Sequence, residues 1–446
     1  MLDLKNKRVT VAGLGHFGGG IAAARWLVGQ GARVLVTDLA PAEKLRDSVA
    51  KLEGVEVEYR LGEHRPEDFT QCDLVVASPA IPPESQYLAA ARAAGVPVTT
   101  EIRLFLERCP LPVIGVSGTK GKSTTTTLLG MMLRKKHRVW QGGNIGKSLL
   151  SDLPELNAGA GAGSGAGADA GDLVLLELSS FMLYYLSEMA WSPHVALLTM
   201  LSSDHVEWHG TQEAYLDAKK VLLRFQKPGD FAVLDETNEV AKRFAEATAA
   251  QVVWYGLHGR KQFELALPGR HNQFNAQAAF AAAGVMGVTF DEAQSAVRDF
   301  VGLPHRLEMV HTAGGVKYFN DSIATIPDAA SAALESFESG KVIQIVGGHD
   351  KGLSFESMCH TLAQNTKATL CIGETAGKIA GILRELHPEF SPFVYECGTL
   401  AAAMQQAKAI AEEGDIVLLS TGCSSYDQFS NFQQRGELFA QLARDA

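Results

Sequence analysis

The stretch LPVIGVSGTKGKSTTTT, residues 111–127, reads as a strand-length apolar run, a glycine loop ending in Gly-Lys-Ser, and the start of a helix. The strict phosphate-loop pattern is Gly, four residues, then Gly-Lys-Ser/Thr. It fails here by one residue, because Val116 stands at the first position with Gly115 and Gly118 on either side. The physics of such a loop survives the mismatch. Glycines let successive backbone N–H groups point inward, the following helix adds its N-terminal dipole, Lys122 can reach terminal phosphates, and Ser123 can hold Mg²⁺. Gly118, Thr119, Lys120, Gly121, Lys122, Ser123 and Thr124 are therefore candidate nucleotide contacts, the alternative being a plain glycine turn before a helix.

Working outward, DLVLLELSS and HVALLTMLSSDH read as buried parallel strands ending in Glu177 and in Asp204 and His205. Carboxyl ends of such strands are where α/β proteins place chemistry, so these acids should share an edge with the loop. One carboxylate at a strand end suffices for a nucleotide-bound Mg²⁺, which suits Glu177. His205 beside Asp204 is either a structural hydrogen-bonded pair or a metal ligand. In YLDAKKVLLRF, Lys219 and Lys220 interleave with Leu216, Val221 and Leu223 as on a solvated helix face. A buried lysine with a depressed pKa would instead be neutral and open to covalent modification.

Toward the N-terminus, RVTVAGLGHFGGGIAAARWLVGQGARVLVTD is a strand, a Gly-x-Gly-x-x-Gly turn (Gly13, Gly15, Gly18), an Ala-rich helix and a strand ending at Asp38. That spacing is a βαβ dinucleotide fingerprint, able to hold NAD or a nucleotide-linked substrate. A third strand, CDLVVASPAIPP, ends in a Pro-rich turn of the kind that closes a sheet edge. Toward the C-terminus, KVIQIVGGHDKG, ATLCIGET and DIVLLSTGCSSYDQF repeat the strand-then-turn alternation of a parallel sheet. The Gly/Ala tract 157–171 cannot bury a side-chain core and is expected to be a flexible surface insertion. The fold class is thus α/β in three domains: a Rossmann-like domain (1–98), a central phosphate-loop domain with a mostly parallel sheet (99–303) and a second Rossmann-like domain (304–446).

The 446 residues are 46% hydrophobic and 20% charged, the composition of a globular protein and not of a disordered one. A net charge of -10 disfavours nucleic acid and anionic membranes as partners. Cys72, Cys109, Cys359, Cys371, Cys397 and Cys423 form no metal-spaced pairs and read as reduced thiols. No run approaches the ~18 apolar residues of a membrane span, and the N-terminus lacks signal architecture. A cytoplasmic protein is expected.

Together GVSGTKGKST, GGNIG (142–146), LELSSF (176–181), SDH (203–205), YLDAK (215–219), HNQFNAQAA (271–279), GLPHRLE (302–308), NDS (320–322) and SSYDQFSNFQQRG (424–436) resemble the Mur ligase family, in the right order along the whole chain. The resemblance implies a domain for the UDP part of the substrate, a central ATPase domain and a C-terminal domain that closes over ATP and the amino acid. It further implies ATP and Mg²⁺ at two sites, UDP-N-acetylmuramoyl-L-alanine and D-glutamate as substrates, and a monomer. The donor carboxylate would become an acyl phosphate that the amine of glutamate attacks.

By residue, the resemblance places Lys122 on the phosphates, with Ser123, Glu177, His205 and a carbamylated Lys219 at the metals. Asn275, Arg306 and Asp321 would contact ATP; Gly15, Thr37, Asp38, Ser78 and Asn144 the UDP substrate; Lys351, Ser425 and Phe432 the glutamate. Two positions depart from the family pattern. Ile323 replaces the usual lysine of Asp-Ser-Lys-Ala-Thr, which leaves D- or L-glutamate open, and Lys120 stands where Asn or Asp is usual. An NAD-linked oxidoreductase built on the first fingerprint is the reading from a different class.

Overall fold

The computed structural model describes residues 3–15, 18–160, 171–202, 204–267 and 269–445. Ser203 and residues 161–170 of the Gly/Ala tract lie outside the described residues, and the start of that tract falls in the helix Leu153–Ala160. The chain divides into two compact units, Met1–Gln262 with Phe274–Val297, and Phe263–Gln273 with Arg298–Ala446.

The first unit holds two parallel sheets. Strands β1 (Arg8–Ala12), β2 (Arg33–Asp38), β3 (Val57–Leu61), β4 (Leu74–Ala77) and β5 (Val98–Thr99) run in the order β3-β2-β1-β4-β5. The apolar runs of β1 and β4 pair in the centre of this sheet, as continuous Val/Leu/Ala segments should. The pattern of three strands is corrected here. β3 is an additional edge strand whose Glu58 and Tyr59 face solvent, so it lacks a buried apolar signature. β4 is internal, paired to β1 and β5, and its Pro-rich exit closes no edge.

In the second sheet, β6 (Val113–Ser117), β7 (Arg138–Gly143), β8 (Asp172–Glu177), β9 (Val195–Leu198), β10 (Phe231–Asp235) and β11 (Gln251–Tyr255) run β11-β10-β9-β6-β8-β7. The chain leaves β6 toward β7 and β8, then returns to the other flank as β9. β6 therefore stands at a topological switch point, where open α/β sheets form a crevice at their carboxyl ends. The helix Glu101–Leu106 joins the two sheets and buries Ile102, Leu104, Phe105 and Leu106 in one apolar core that runs through both.

The second unit holds one sheet of β12 (Glu308–Ala313), β13 (Val316–Asn320), β14 (Val342–Gly347), β15 (Thr366–Ile372), β16 (Val394–Gly398) and β17 (Ile416–Leu419), in the order β12-β13-β17-β14-β15-β16. The sheet is parallel except at one edge, where β12 and β13 form an antiparallel hairpin. Gly314 and Gly315 turn it with φ of 55° and 77°, the two positive angles a tight hairpin turn of matching twist requires.

At the joint between the first two sheets, the Ser148 hydroxyl donates to the Glu101 carboxylate, yet loss of water pushes that carboxyl from 4.5 up to about 7. A folded-state pKa above the unfolded one gives stability that is fully present below 4.5 and lost as pH rises through about 7. Glu101→Gln removes the charge, so its thermal midpoint should gain on that of the parent chain across this window. Parallel midpoint-against-pH curves for the two chains would contradict the assignment.

Candidate active site

The β6 strand delivers the phosphate loop from a fully buried base. Gly118 has φ of 146°, and a Cβ there would collide with the Thr199 hydroxyl just past β9. That hydroxyl donates to the Lys120 carbonyl at 2.7 Å and holds the loop against the neighbouring strand. Gly121, with φ of 85°, starts the helix Lys122–Leu133 without a side-chain cap, which leaves its first N–H groups to a ligand. Thr124 is buried, Ser123 is half-buried on the first turn, and Lys120 is exposed. Thr125 Oγ donates to Asn275 Oδ1 at 3.3 Å, so Asn275 sits beside the loop, where a Cβ on Gly121 would also strike it.

Two lysines converge on one carbonyl. Lys122 Nζ donates to Gly118 O at 3.0 Å and Thr119 O at 2.9 Å, and Lys219 Nζ donates to the same Gly118 O at 2.6 Å. Lys219 is only 1% exposed and lies 4.7 Å from the centre of the Tyr215 ring. Burial, then the Lys122 charge, holds its ammonium pKa well below the usual value. The solvated-face reading of Lys219 is thus corrected: the helix Gln212–Arg224 turns Tyr215, Ala218 and Lys219 inward with Val221, Leu222 and Leu223.

Glu177 ends β8 fully buried. Its Oε1 accepts from Asn144 Nδ2 at 2.8 Å, and its Oε2 is buried with no hydrogen-bond partner among the described residues. A buried orphan carboxylate oxygen is costly unless a cation completes it, which is the environment a hard divalent ion takes. Asn144 meets Glu177 through backbone as well, its N–H donating to Glu177 O at 2.8 Å. His205 lies seven residues beyond β9 in the left-handed region (φ 48°), its ring 4.8 Å from that of Phe181 and 6.2 Å from that of Tyr215. Among the described residues, no three His, Cys, Asp or Glu side chains are gathered as a metal site.

At the carboxyl end of the first sheet, Asp38 accepts from Gly15 N–H at 3.1 Å and Ala40 N–H at 2.8 Å, so both its oxygens are engaged by its own loops. Thr37 Oγ donates to Glu63 O and lies 2.8 Å from His64 Nδ1. Ser78 leaves β4 against Gly13, where a Cβ would come within 2.8 Å of its own. These groups share one sheet edge, astride the β1/β4 switch point.

In the second unit, Asp321 accepts from Leu307 N–H at 3.1 Å and Ser420 Oγ at 2.7 Å, and burial pushes its carboxyl up to about 7. Arg306 lies between His305 and Leu307, both at positive φ, and its buried Nε has no hydrogen-bond partner among the described residues. Lys351 lines a shallow recess with Thr325, His349 and Cys423. Ser425 is buried, and the Phe432 ring faces His305.

Several residues of these networks had no role assigned from the sequence. Thr199 and Tyr215 brace the loop, Tyr215 Oη donating to Thr119 Oγ at 2.9 Å. Arg435, 1% exposed, donates to Ser322 Oγ, Ser322 O and Cys423 O and so ties the Asp321 loop to the 422–425 turn. It lies inside a quoted motif, where its lack of a sequence-adjacent acid hides its burial.

A strand, phosphate loop and helix at a switch point, with an orphaned acid on the next strand, define a phosphate-loop nucleotide-binding protein. Family comparison carries this further: residues 7–100 match the Mur ligase MurD-like N-terminal domain, 116–264 the Mur ligase middle domain, and 305–423 the Mur ligase glutamate ligase domain. The chain belongs to the Mur ligase family, which is ATP-dependent. A relative from Roseiflexus sp. (strain RS-1), named UDP-N-acetylmuramoylalanine--D-glutamate ligase, is 40% identical over 99% of this chain and 99% of its own. One of the same name from Anaeromyxobacter dehalogenans (strain 2CP-C) is 37% identical over 99% and 98%. Among solved structures, UDP-N-acetylmuramate-alanine ligase MurC from Thermotoga maritima superposes with a TM-score of 0.62 at 20% identity, covering 99% of this chain and 100% of that one. MurF from Acinetobacter baumannii gives 0.57 at 17%, covering 98% and 94%. These two share the fold. The oxidoreductase reading of the first fingerprint falls with the family assignment.

Gly118→Ala should destabilise the chain by about 1–3 kcal/mol, the cost of a residue held in a sparsely populated backbone region. Adding Thr199→Ala should restore only part, because the φ of 146° persists. Urea unfolding checks both, and full recovery in the double variant would contradict a backbone origin.

Proposed function

We propose that the chain is an ATP-dependent amide ligase that joins D-glutamate to UDP-N-acetylmuramoyl-L-alanine in peptidoglycan precursor synthesis. The names of its full-length relatives support the substrates. The observation that carries the chemistry is the buried Lys219, its pKa pushed well down, sharing the Gly118 carbonyl with Lys122 near a Glu177 whose Oε2 has no hydrogen-bond partner among the described residues.

In this reading Lys122 leaves the loop carbonyls for the phosphates as they enter, and its charge stabilises the phosphoryl group in transfer. The helix N-terminus at Gly121 and the loop N–H groups cradle the same anion. A carboxylate oxygen of the donor attacks the γ-phosphorus and the bond to the β-phosphate oxygen breaks, releasing ADP. The amine of glutamate then attacks the acyl carbon and loses a proton, and the C–O bond to phosphorus breaks, so phosphate leaves carrying one former carboxylate oxygen.

A neutral Lys219 amine is also the nucleophile that CO₂ requires: the N–C bond forms, a proton leaves, and a carbamate results. Ser123, Glu177, His205 and that carbamate would hold Mg²⁺ at two sites. The ion's role when bound is to offset repulsion between the donor carboxylate and the triphosphate. Asn275, Arg306 and Asp321 are assigned to the nucleotide; Gly15, Thr37, Asp38, Ser78 and Asn144 to the UDP substrate; and Lys351, Ser425 and Phe432 to glutamate.

ADP release with UDP-N-acetylmuramoyl-L-alanine and each glutamate enantiomer tests the substrates. Release with D-glutamate is expected, and release with L-glutamate alone would reassign the acceptor. Lys122→Ala should lower kcat by on the order of 10²–10³, the usual loss for a stabilising donor at a transition state. Lys219→Ala should lose turnover that a small carboxylic acid in the buffer partly restores; an undiminished variant would remove Lys219 from the metal site.

A further inference from the structure

Between the edge of the first sheet and the phosphate loop lies a run of rings that the assigned roles leave unused. Trp208 Nε1 donates to Ala80 O at 3.1 Å, two residues past Ser78, and Tyr185 Oη donates to Ile81 O at 2.7 Å. The Trp208 ring packs on Phe181 (4.7 Å between centres) and His209 (4.5 Å). His209 in turn packs on Tyr215 (5.4 Å), and its Nε2 lies 3.0 Å from Ser180 Oγ, three residues past Glu177. Tyr215 holds Thr119 through its hydroxyl and carries Lys219 over its ring. On the backbone, Trp208 N–H and His209 N–H both donate to His205 O, which closes the short helix Val206–His209 onto the left-handed His205. An unbroken chain of contacts thus leads from the 78–81 loop to His205 and Lys219.

The chemistry suits a brace. Trp208 contributes area and one directed N–H, aimed out of the ring cluster at the substrate-side loop.

We propose that Trp208 and His209 are positioning residues that transmit the placement of the 78–81 loop to His205 and Lys219, so that a UDP-linked ligand at the first sheet tightens binding at the phosphate loop. This rests on the reading that the Ser78 edge takes the UDP substrate. Neither residue touches reacting atoms in it.

The test is calorimetry on the full chain with Mg²⁺ and a non-hydrolysable ATP analogue, with and without UDP-N-acetylmuramoyl-L-alanine. In the parent chain the UDP substrate should tighten the analogue by about 5-fold or more, the lower range of site-to-site coupling. Trp208→Phe keeps a ring but loses the N–H. It should bind each ligand alone as the parent does, while the coupling falls to within about twofold of none. A purely structural defect would weaken single-ligand binding or the thermal midpoint instead. His209→Phe is the second variant, expected to lose coupling likewise should Trp208→Phe fail to fold. A parent that binds both ligands without coupling, or folded variants with full coupling, overturns the proposal and leaves the ligase reading standing. A parent that does not bind the UDP substrate overturns both.

Discussion

Two amines donate to the Gly118 carbonyl, and one of them is buried at the inward face of its helix. Two ammonium ions at such a point would repel by roughly 4 kcal/mol at ~4 Å and an effective dielectric of ~20, on top of the several kcal/mol needed to strip water from the buried one. Burial and the Lys122 charge push the Lys219 ammonium pKa well down, which eases that repulsion. Lys122, half-buried at the helix start, donates to the Gly118 and Thr119 carbonyls, while Lys219 is enclosed at the inward face of its helix. Glu177 keeps one oxygen on Asn144 and leaves the other without a hydrogen-bond partner among the described residues, an opening that a cation would complete.

Packing makes the arrangement specific. Gly118 admits the Thr199 hydroxyl where any side chain would collide, and Tyr215 reaches Thr119 from the helix that carries Lys219. Loop, β9 and helix therefore hold one another in register, and the switch point at β6 puts all three at a single sheet edge. The first sheet repeats the device more weakly. Asp38 spends both carboxylate oxygens on the N–H groups of Gly15 and Ala40, so it shapes the glycine turn from behind.

Much of this was legible in the sequence because it depends on local rules. β1, its glycine turn and β2 are set by short-range spacing, and β6, β8 and β9 announce themselves as continuous apolar runs. β3 was hidden because an edge strand carries charges where a central one carries valines. The β12–β13 hairpin left a signal, Gly314-Gly315 between two half-apolar runs, that a search for buried parallel strands passes over. Lys219 is the instructive case. Periodicity places a lysine on a helix but cannot say which face is buried, and only the packing of Tyr215 and Ala218 beside it decides. Arg435 was illegible for the same reason, since its partners, Ser322 and the Cys423 carbonyl, come from distant loops.

The central claim is that the cradle at Gly118–Lys122 activates a carboxylate by phosphorylation. The direct measurement follows ¹⁸O from the alanyl carboxylate of UDP-N-acetylmuramoyl-L-alanine during turnover with ATP and D-glutamate. Acyl phosphate formation predicts inorganic phosphate carrying one labelled oxygen. Unlabelled phosphate alongside amide product would contradict it.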